Sequence, residues 1–234
     1  MKTVILAGGR GVRLRPLTYT IPKPLLPIGE KPILEEIIER LKTQGFEDFV
    51  IAVGYRAELI ETYFRDGSHL GVTIEYVRET EPLGTAGPMG LVRDAALTAG
   101  DDPLLVLNGD ILTDLDMRAF IDAHRRAGDE MTVVTREFEL HHPYGVIQVE
   151  DGRIVGIMEK PSVVDTISAG IYAVRPSALE LIPAGEFFDM PDLANRLLEA
   201  GRRVGAYAFD GEWLAIDRIE QLEDAARMLA ERHA

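Results

Sequence analysis

The stretch from Gly8 to Lys23 holds three glycines, three arginines (Arg10, Arg13, Arg15) and a lysine set between Pro22 and Pro24. Glycines directly after a strand let backbone N–H groups approach an anion closely. Arginine presents a planar fork to phosphate oxygens, and lysine acts as a point charge. The flanking prolines fix the backbone around Lys23, an odd investment for a lysine that merely faces water. Together these residues describe a clamp for a polyphosphate. Two better-known phosphate loops do not fit. No Gly-x-x-x-x-Gly-Lys-Ser/Thr run exists, and the dinucleotide pattern begun at Gly9 and Gly11 finds Leu14 at its third glycine position. A nicotinamide dehydrogenase is therefore disfavoured.

Carboxylates come second. Leu104–Leu107 run into Asn108-Gly109-Asp110. An aspartate at the carboxyl end of a buried strand lies on the edge where open α/β sheets bind ligands, the same edge as the glycine-rich loop. Mg²⁺ needs only one or two carboxylates, the rest of its shell coming from phosphates and water. Near the other end, Trp213-Leu214-Ala215-Ile216-Asp217 supplies another aspartate, whose competing role is N-cap of the final helix. Neither a Gly-x-Ser-x-Gly elbow nor a His-Glu-x-x-His helix is present. His141 and His142 are adjacent, which makes a poor metal pair in a strand, and they read as loop residues.

These groups need a scaffold, and the chain spells one out. Short β-branched runs at 2–6, 49–53, 72–77, 104–107 and 131–135 alternate with helical stretches at 33–41, 57–65, 86–98 and 115–127. Ile33, Leu34, Ile37, Ile38 and Leu41 share one helix face, with Pro32 at its start and Gly45 at its stop. Such alternation predicts a doubly wound, mostly parallel, Rossmann-like α/β sheet covered on both faces. From about residue 143 the rhythm changes. A hairpin around Asp151-Gly152 and a strand in ISAGIYAV are followed by helices near 176–182 and 190–200, a strand near 203–209 and a helix from about 217. The expectation is one domain over 1–234, with a first half to residue 142 and a β-rich second half from 143.

Composition limits what the fold can serve. The 234 residues are 46% hydrophobic and 27% charged, enough for a full core and far from a disordered composition. Absence of cysteine removes thiol catalysis, Cys-zinc sites, iron–sulfur clusters and disulfides. The net charge of −14 argues against nucleic acid as a partner. That charge is uneven: residues 1–32 carry six basic side chains against Glu30 alone, which makes +5 there and −19 over the rest. A positive island in an acidic chain suits a small anionic ligand. The opening apolar run is too short for a signal peptide, and none approaches the ~18 residues of a membrane span, so a cytoplasmic location is expected.

The segment LAGGRGVRLRPLT, followed by PKPLLPIGEKPIL, resembles the signature of the sugar-1-phosphate nucleotidyltransferases. Val12 stands where that family has Thr or Ser. The resemblance runs nearly end to end and is strongest to mannose-1-phosphate guanylyltransferases. It implies a Mg²⁺-dependent transfer of a nucleoside monophosphate from a triphosphate to a sugar 1-phosphate, releasing pyrophosphate. By carry-over, Arg13 and Lys23 are catalytic. Leu6, Ala7, Gly8, Gly9, Gly11, Glu79, Gly84, Thr85 and Asp110 join them in binding the nucleotide. Gly145, Glu159, Lys160, Ala169 and Gly170 bind the sugar phosphate. Asp110 is a metal ligand, and so is Asp217, because Ala215 occupies the usual aspartate position of a Trp-x-Asp-x-Gly pattern. Glu79 lies where relatives read the base. A carboxylate accepts from both N1–H and N2–H of guanine, whereas uracil and thymine offer one N–H. GTP and a mannose-like sugar are thus favoured over UTP, dTTP or CTP partners. A homodimer is among the assemblies the resemblance implies, and a catalytically silent sugar-nucleotide-binding paralogue is the rival that Val12 and Ala215 leave open.

Overall fold

A computed structural model describes residues 1–95, 97 and 100–232. The strands that carry the argument are β1 (Thr3–Ala7), β2 (Asp48–Val53), β3 (Thr73–Arg78), β4 (Leu104–Asn108), β5 (Ile111–Thr113), β6 (Met131–His141), β7 (Val146–Glu150), β8 (Arg153–Met158), β9 (Ser162–Val174), β10 (Val204–Ala208) and β11 (Trp213–Ala215). The helices are α1 (Ile33–Thr43), α2 (Ala57–Phe64), α3 (Gly87–Asp94), α4 (Met117–Ala127), α5 (Met190–Glu199) and α6 (Ile219–Arg232).

Seven strands make the central sheet, in the order β10-β6-β9-β4-β1-β2-β3. Pairing is parallel at β1–β2, β1–β4, β2–β3 and β6–β10, and antiparallel where β9 runs between β4 and β6. Period-two side-chain alternation divides the core between the two faces. Ile5 and Ala7 of β1 pack with α1, α2, α4 and α6, while Val4 and Leu6 pack with α3 and α5. Both faces are covered by helices, which is the doubly wound arrangement that the strand–helix rhythm predicts. The five apolar residues of α1 are all buried, and Gly45 follows the helix with φ 81°.

Several boundaries differ from the sequence expectation, each for a local reason. The stretch Pro176–Leu181 is a 3₁₀ helix, not an α-helix, closing on Arg175 and Leu179 carbonyls. The expected helix at 86–98 is α3, and its reach to 96 and 98 lies outside the described residues. Strand β6 continues six residues past 135, so His141 ends a strand and only His142 is a loop residue. Beyond Thr135, β6 pairs only with β9, forming an exposed two-stranded ribbon that carries the β7–β8 hairpin at its end. The β-rich part is this arm; β9 and β10 belong to the main sheet. No helix among the described residues is long and apolar enough to cross a membrane.

Candidate active site

The carboxyl ends of β1, β2, β3 and β4 all open onto one cleft of about 630 Å³. Parallel strands put their following loops on a common edge, and the polar residues collect there. Strand β1 delivers Leu6 and Ala7 and then Gly8, Gly9 and Gly11; β3 delivers Glu79, with Gly84 and Thr85 beyond it; β4 delivers Asn108 and Asp110.

The glycine-rich loop is pinned from outside. The Thr18 hydroxyl donates to the Gly11 carbonyl (2.7 Å). The Tyr55 hydroxyl donates to the carbonyls of Thr18 (3.1 Å) and Tyr19 (3.2 Å), and the Arg56 guanidinium donates to Tyr19 as well (2.7 Å). Tyr55 N–H holds the Gly8 carbonyl at 3.1 Å, and the Tyr55 side chain lines the cleft. Val12, which replaces the usual hydroxyl residue, lines the cleft and is exposed.

Charge converges at one end. The Lys23 ammonium donates to both Asp110 and Asp217, the latter at 2.9 Å, and the Arg13 guanidinium lies 3.1 Å from the other Asp217 oxygen. Lys23 is nearly buried, with 12% of its side chain exposed, whereas Arg13 reaches into solvent at 65%. A short ladder produces this meeting. Strand β5 leaves Asp110, β11 leads to Asp217, and the two strands pair antiparallel with Ala215 opposite Ile111. Ile216 N–H then donates to the Asp110 carbonyl (2.9 Å), so both aspartates emerge at the same end. Asp217 is not the N-cap of α6, which begins at Ile219; the Gln221 side chain reaches back from the first turn and accepts from Asp217 N–H (2.7 Å) and Arg218 N–H (2.8 Å). The Asp217 carboxylate is left free to face the cleft.

Glu79 is half-buried against Gly8. A Cβ at Gly8 would overlap its Oε1 and lie 2.9 Å from its Cδ, so only glycine leaves the carboxylate this place. Burial raises the Glu79 pKa, partly offset by the Leu83 N–H that donates to it at 3.0 Å. The Thr85 hydroxyl is already engaged: it donates to Asp189 (3.0 Å) and accepts from Met190 N–H (2.8 Å), helping to cap α5. Its contribution to the cleft is therefore chiefly shape.

The five residues expected to bind a sugar phosphate split into two groups, and none lines the cleft. Ala169 and Gly170 sit beside it. Trp213 donates to the Ala169 carbonyl (2.8 Å), and a Cβ on Gly170, which has φ 72°, would lie 2.6 Å from the Asn108 amide nitrogen. Glycine at 170 is thus required by the fold's own close approach. Gly145, Glu159 and Lys160 lie on the exposed arm; Gly145 and Glu159 are neighbours, a Cβ at 145 falling 3.0 Å from Glu159 Oε2. Sequence reasoning passed over Tyr55 and Phe187, both of which line the cleft. Tyr55 follows a strand end on the ligand-binding edge, a signal that could have found it; Phe187 carries no such mark.

Among the described residues no three His, Asp or Glu side chains converge as a metal cluster. The two aspartates do converge on one point, occupied by the Lys23 ammonium.

A family model described as nucleotidyl transferase matches residues 2–232. A UTP–glucose-1-phosphate uridylyltransferase from Synechocystis is 37% identical over 249 positions, covering 99% of this chain and 64% of that protein. A mannose-1-phosphate guanyltransferase from Yarrowia lipolytica is 40% identical over 227 positions, covering 92% of this chain and 60% of that protein. The chain thus spans somewhat under two thirds of the length of these curated relatives. The crystal structure of a Bacillus anthracis protein in complex with a sucrose matches with a TM-score of 0.77 at 26% identity, covering 97% of this chain and 94% of that one.

Proposed function

The chain belongs to the nucleotidyl transferase family, and from that premise we propose that it transfers a nucleoside monophosphate from a nucleoside triphosphate to a sugar 1-phosphate. One observation carries this reading. Arg13, Lys23, Asp110 and Asp217, drawn from distant parts of the chain, form one charged network on the rim of a cleft floored by a glycine-rich loop.

The chemistry follows from charge. An oxygen of the sugar phosphate attacks the α-phosphorus, and the bond from that phosphorus to the α–β bridging oxygen breaks. Pyrophosphate leaves with the electron pair. Both reactants are anions, so repulsion and alignment dominate the barrier, and no covalent nucleophile is needed. Arg13, largely exposed at the cleft, neutralises the α-phosphate and the departing pyrophosphate. Lys23, fixed between prolines, holds the triphosphate. Lys160 of the arm holds the sugar phosphate, and Glu159 its hydroxyls. Asp110 and Asp217 suit Mg²⁺, because their carboxylates already meet at a single cation and such a site needs no further protein ligand. When bound there, the ion would supply positive charge to the reacting phosphates.

GTP is the favoured triphosphate, with a mannose-like sugar. Glu79 on the cleft wall offers two acceptor oxygens to a guanine edge, and the relative from Yarrowia lipolytica is named for guanyl transfer. A uridylyltransferase acting on glucose 1-phosphate is the second reading, favoured by the Synechocystis relative that covers 99% of this chain. Pyrophosphate release measured for GTP, UTP, dTTP and CTP against mannose, glucose and amino-sugar 1-phosphates with Mg²⁺ decides between them. GTP with mannose 1-phosphate is expected to give the highest kcat/KM. No release with any pair would leave a silent binding paralogue.

A further inference from the structure

Phe187 is 63% exposed on the cleft rim, while its chain neighbour Phe188 is only 7% exposed and packs in the core. Adjacent side chains of an extended segment point to opposite sides, so anchoring one presents the other. The anchor is firm. Phe188 N–H donates to the Leu83 carbonyl (2.9 Å), and the Phe188 carbonyl accepts from Ala86 N–H (2.8 Å) and Gly87 N–H (2.9 Å). Asp189 accepts from both the backbone and the hydroxyl of Thr85. Arg196 closes the far side, its guanidinium 4.6 Å from the centre of the Phe188 ring. Phe188 and Asp189 are therefore tied to the Leu83–Gly87 turn by five hydrogen bonds, three from the Phe188 backbone and two to the Asp189 carboxylate. Phe187 thus lines the cleft next to the anchored turn that carries Gly84 and Thr85.

We propose that Phe187 is a stacking platform for the nucleobase. The inference rests on the nucleotide-binding reading above and adds a residue to it. Phosphates are drawn to the glycine-rich loop with Arg13 and Lys23, which leaves the base to Gly84, Thr85 and Glu79. Base–aromatic stacking covers an apolar ring that otherwise faces water, and it tolerates any base because every base has a π-face. Two tasks are thereby separated: Glu79 reads the base edge, and Phe187 holds the base plane.

The test compares Phe187→Ala and Phe187→Tyr with the unaltered chain by calorimetric binding of GTP, UTP and inorganic tripolyphosphate, with thermal unfolding as a check on folding. Phe187→Ala is expected to weaken both nucleotides about 5- to 30-fold, the lower part of the range for loss of one stacked base. Tripolyphosphate, which has no base, should bind all three proteins alike, and Phe187→Tyr should bind nucleotides like the unaltered chain. Unchanged nucleotide affinity in Phe187→Ala overturns the platform while leaving the nucleotide reading intact, and so does a parallel loss for tripolyphosphate. If the unaltered chain binds tripolyphosphate but gains nothing from a base, the platform fails; if it binds neither, the nucleotide reading fails with it.

Discussion

Replacing Lys23 with methionine tests the charged network most directly, because the side chain stays unbranched and nearly as long while it loses its charge and its donors to Asp110 and Asp217. Lys23 holds Asp110 and Asp217, and the three side chains are 12%, 22% and 29% exposed. Removing one partner of a fully buried ion pair costs about 3–5 kcal/mol. Here water reaches the carboxylates and Arg13 still meets Asp217, which reduces the loss to about 2–3 kcal/mol. For a chain of this size each kcal/mol moves Tm by about 2–4 °C, so Lys23→Met should melt about 4–12 °C lower. Lys31→Met, which breaks an exposed pair with Glu39, is the control and should stay within about 1 kcal/mol. The same variant uncovers two carboxylates facing one point. Mg²⁺ at a hundred times its dissociation constant returns about 2.7 kcal/mol by linkage, so the ion should raise the Tm of Lys23→Met well above its effect on the unaltered chain. Thermal unfolding with and without Mg²⁺ measures both arms. Equal melting of Lys23→Met and Lys31→Met, or equal Mg²⁺ shifts in Lys23→Met and the unaltered chain, would refute the picture of two carboxylates sharing one cation.

Three further perturbations address the same cleft. Arg13→Ala removes a largely exposed side chain, so unfolding should shift by less than about 0.5 kcal/mol while turnover falls at least ~10²-fold; near-normal pyrophosphate release would remove Arg13 from the reaction. Gly8→Ala puts a Cβ where the flexible end of Glu79 lies, so the carboxylate should swing aside with little change in Tm while GTP affinity falls, as thermal unfolding and calorimetry would read; a lowered Tm that Glu79→Ala does not relieve would place the clash elsewhere. Burial raises the Glu79 pKa, so the folded chain keeps a proton there at a pH where the unfolded chain has lost it. That proton favours folding in acid, and the advantage becomes a cost as pH climbs from the ordinary glutamate value of about 4.3 through the raised one. Glu79→Gln, compared with the unaltered chain by urea unfolding across pH, should therefore gain relative stability with rising pH and show none below about pH 4; a pH-independent difference would contradict it.

The strands that build the site were readable because β-branched runs need burial on both faces, and β1, β2, β3 and β4 fall within a residue or two of the predicted runs. Ends of those strands were enough to gather Gly8, Glu79 and Asp110. The limit of β6 was missed for a physical reason. Past Thr135 the chain reads Arg136-Glu137-Phe138-Glu139-Leu140, which dilutes the β-branched signal yet keeps the alternation of a two-stranded ribbon. The split of the five sugar-side residues between arm and sheet follows from that unseen extension. Tyr55 was within reach of the same rule, standing two residues past the end of β2, whereas Phe187 reaches the cleft only because its neighbour Phe188 bonds to the distant Leu83–Gly87 turn, a contact that periodicity does not encode.

Asp217 shows how a displaced residue can keep a role that spacing alone assigns elsewhere. Ala215 is the last residue of β11, opposite Ile111, whose side chain is almost wholly buried. Two residues later the period-two repeat returns to the same side, but the ladder has ended, and Ile216 N–H holds the Asp110 carbonyl at that boundary. Position 217 is where this chain brings a carboxylate to the Lys23 ammonium that Asp110 also holds. Gln221 holds the backbone amides of Asp217 and Arg218 just ahead of α6, while the Asp217 carboxylate turns to Lys23 and Arg13. Helix cap and cleft compete for one aspartate in sequence; in the fold α6 begins two residues later, at Ile219, and the carboxylate joins Lys23 and Arg13 in the cleft.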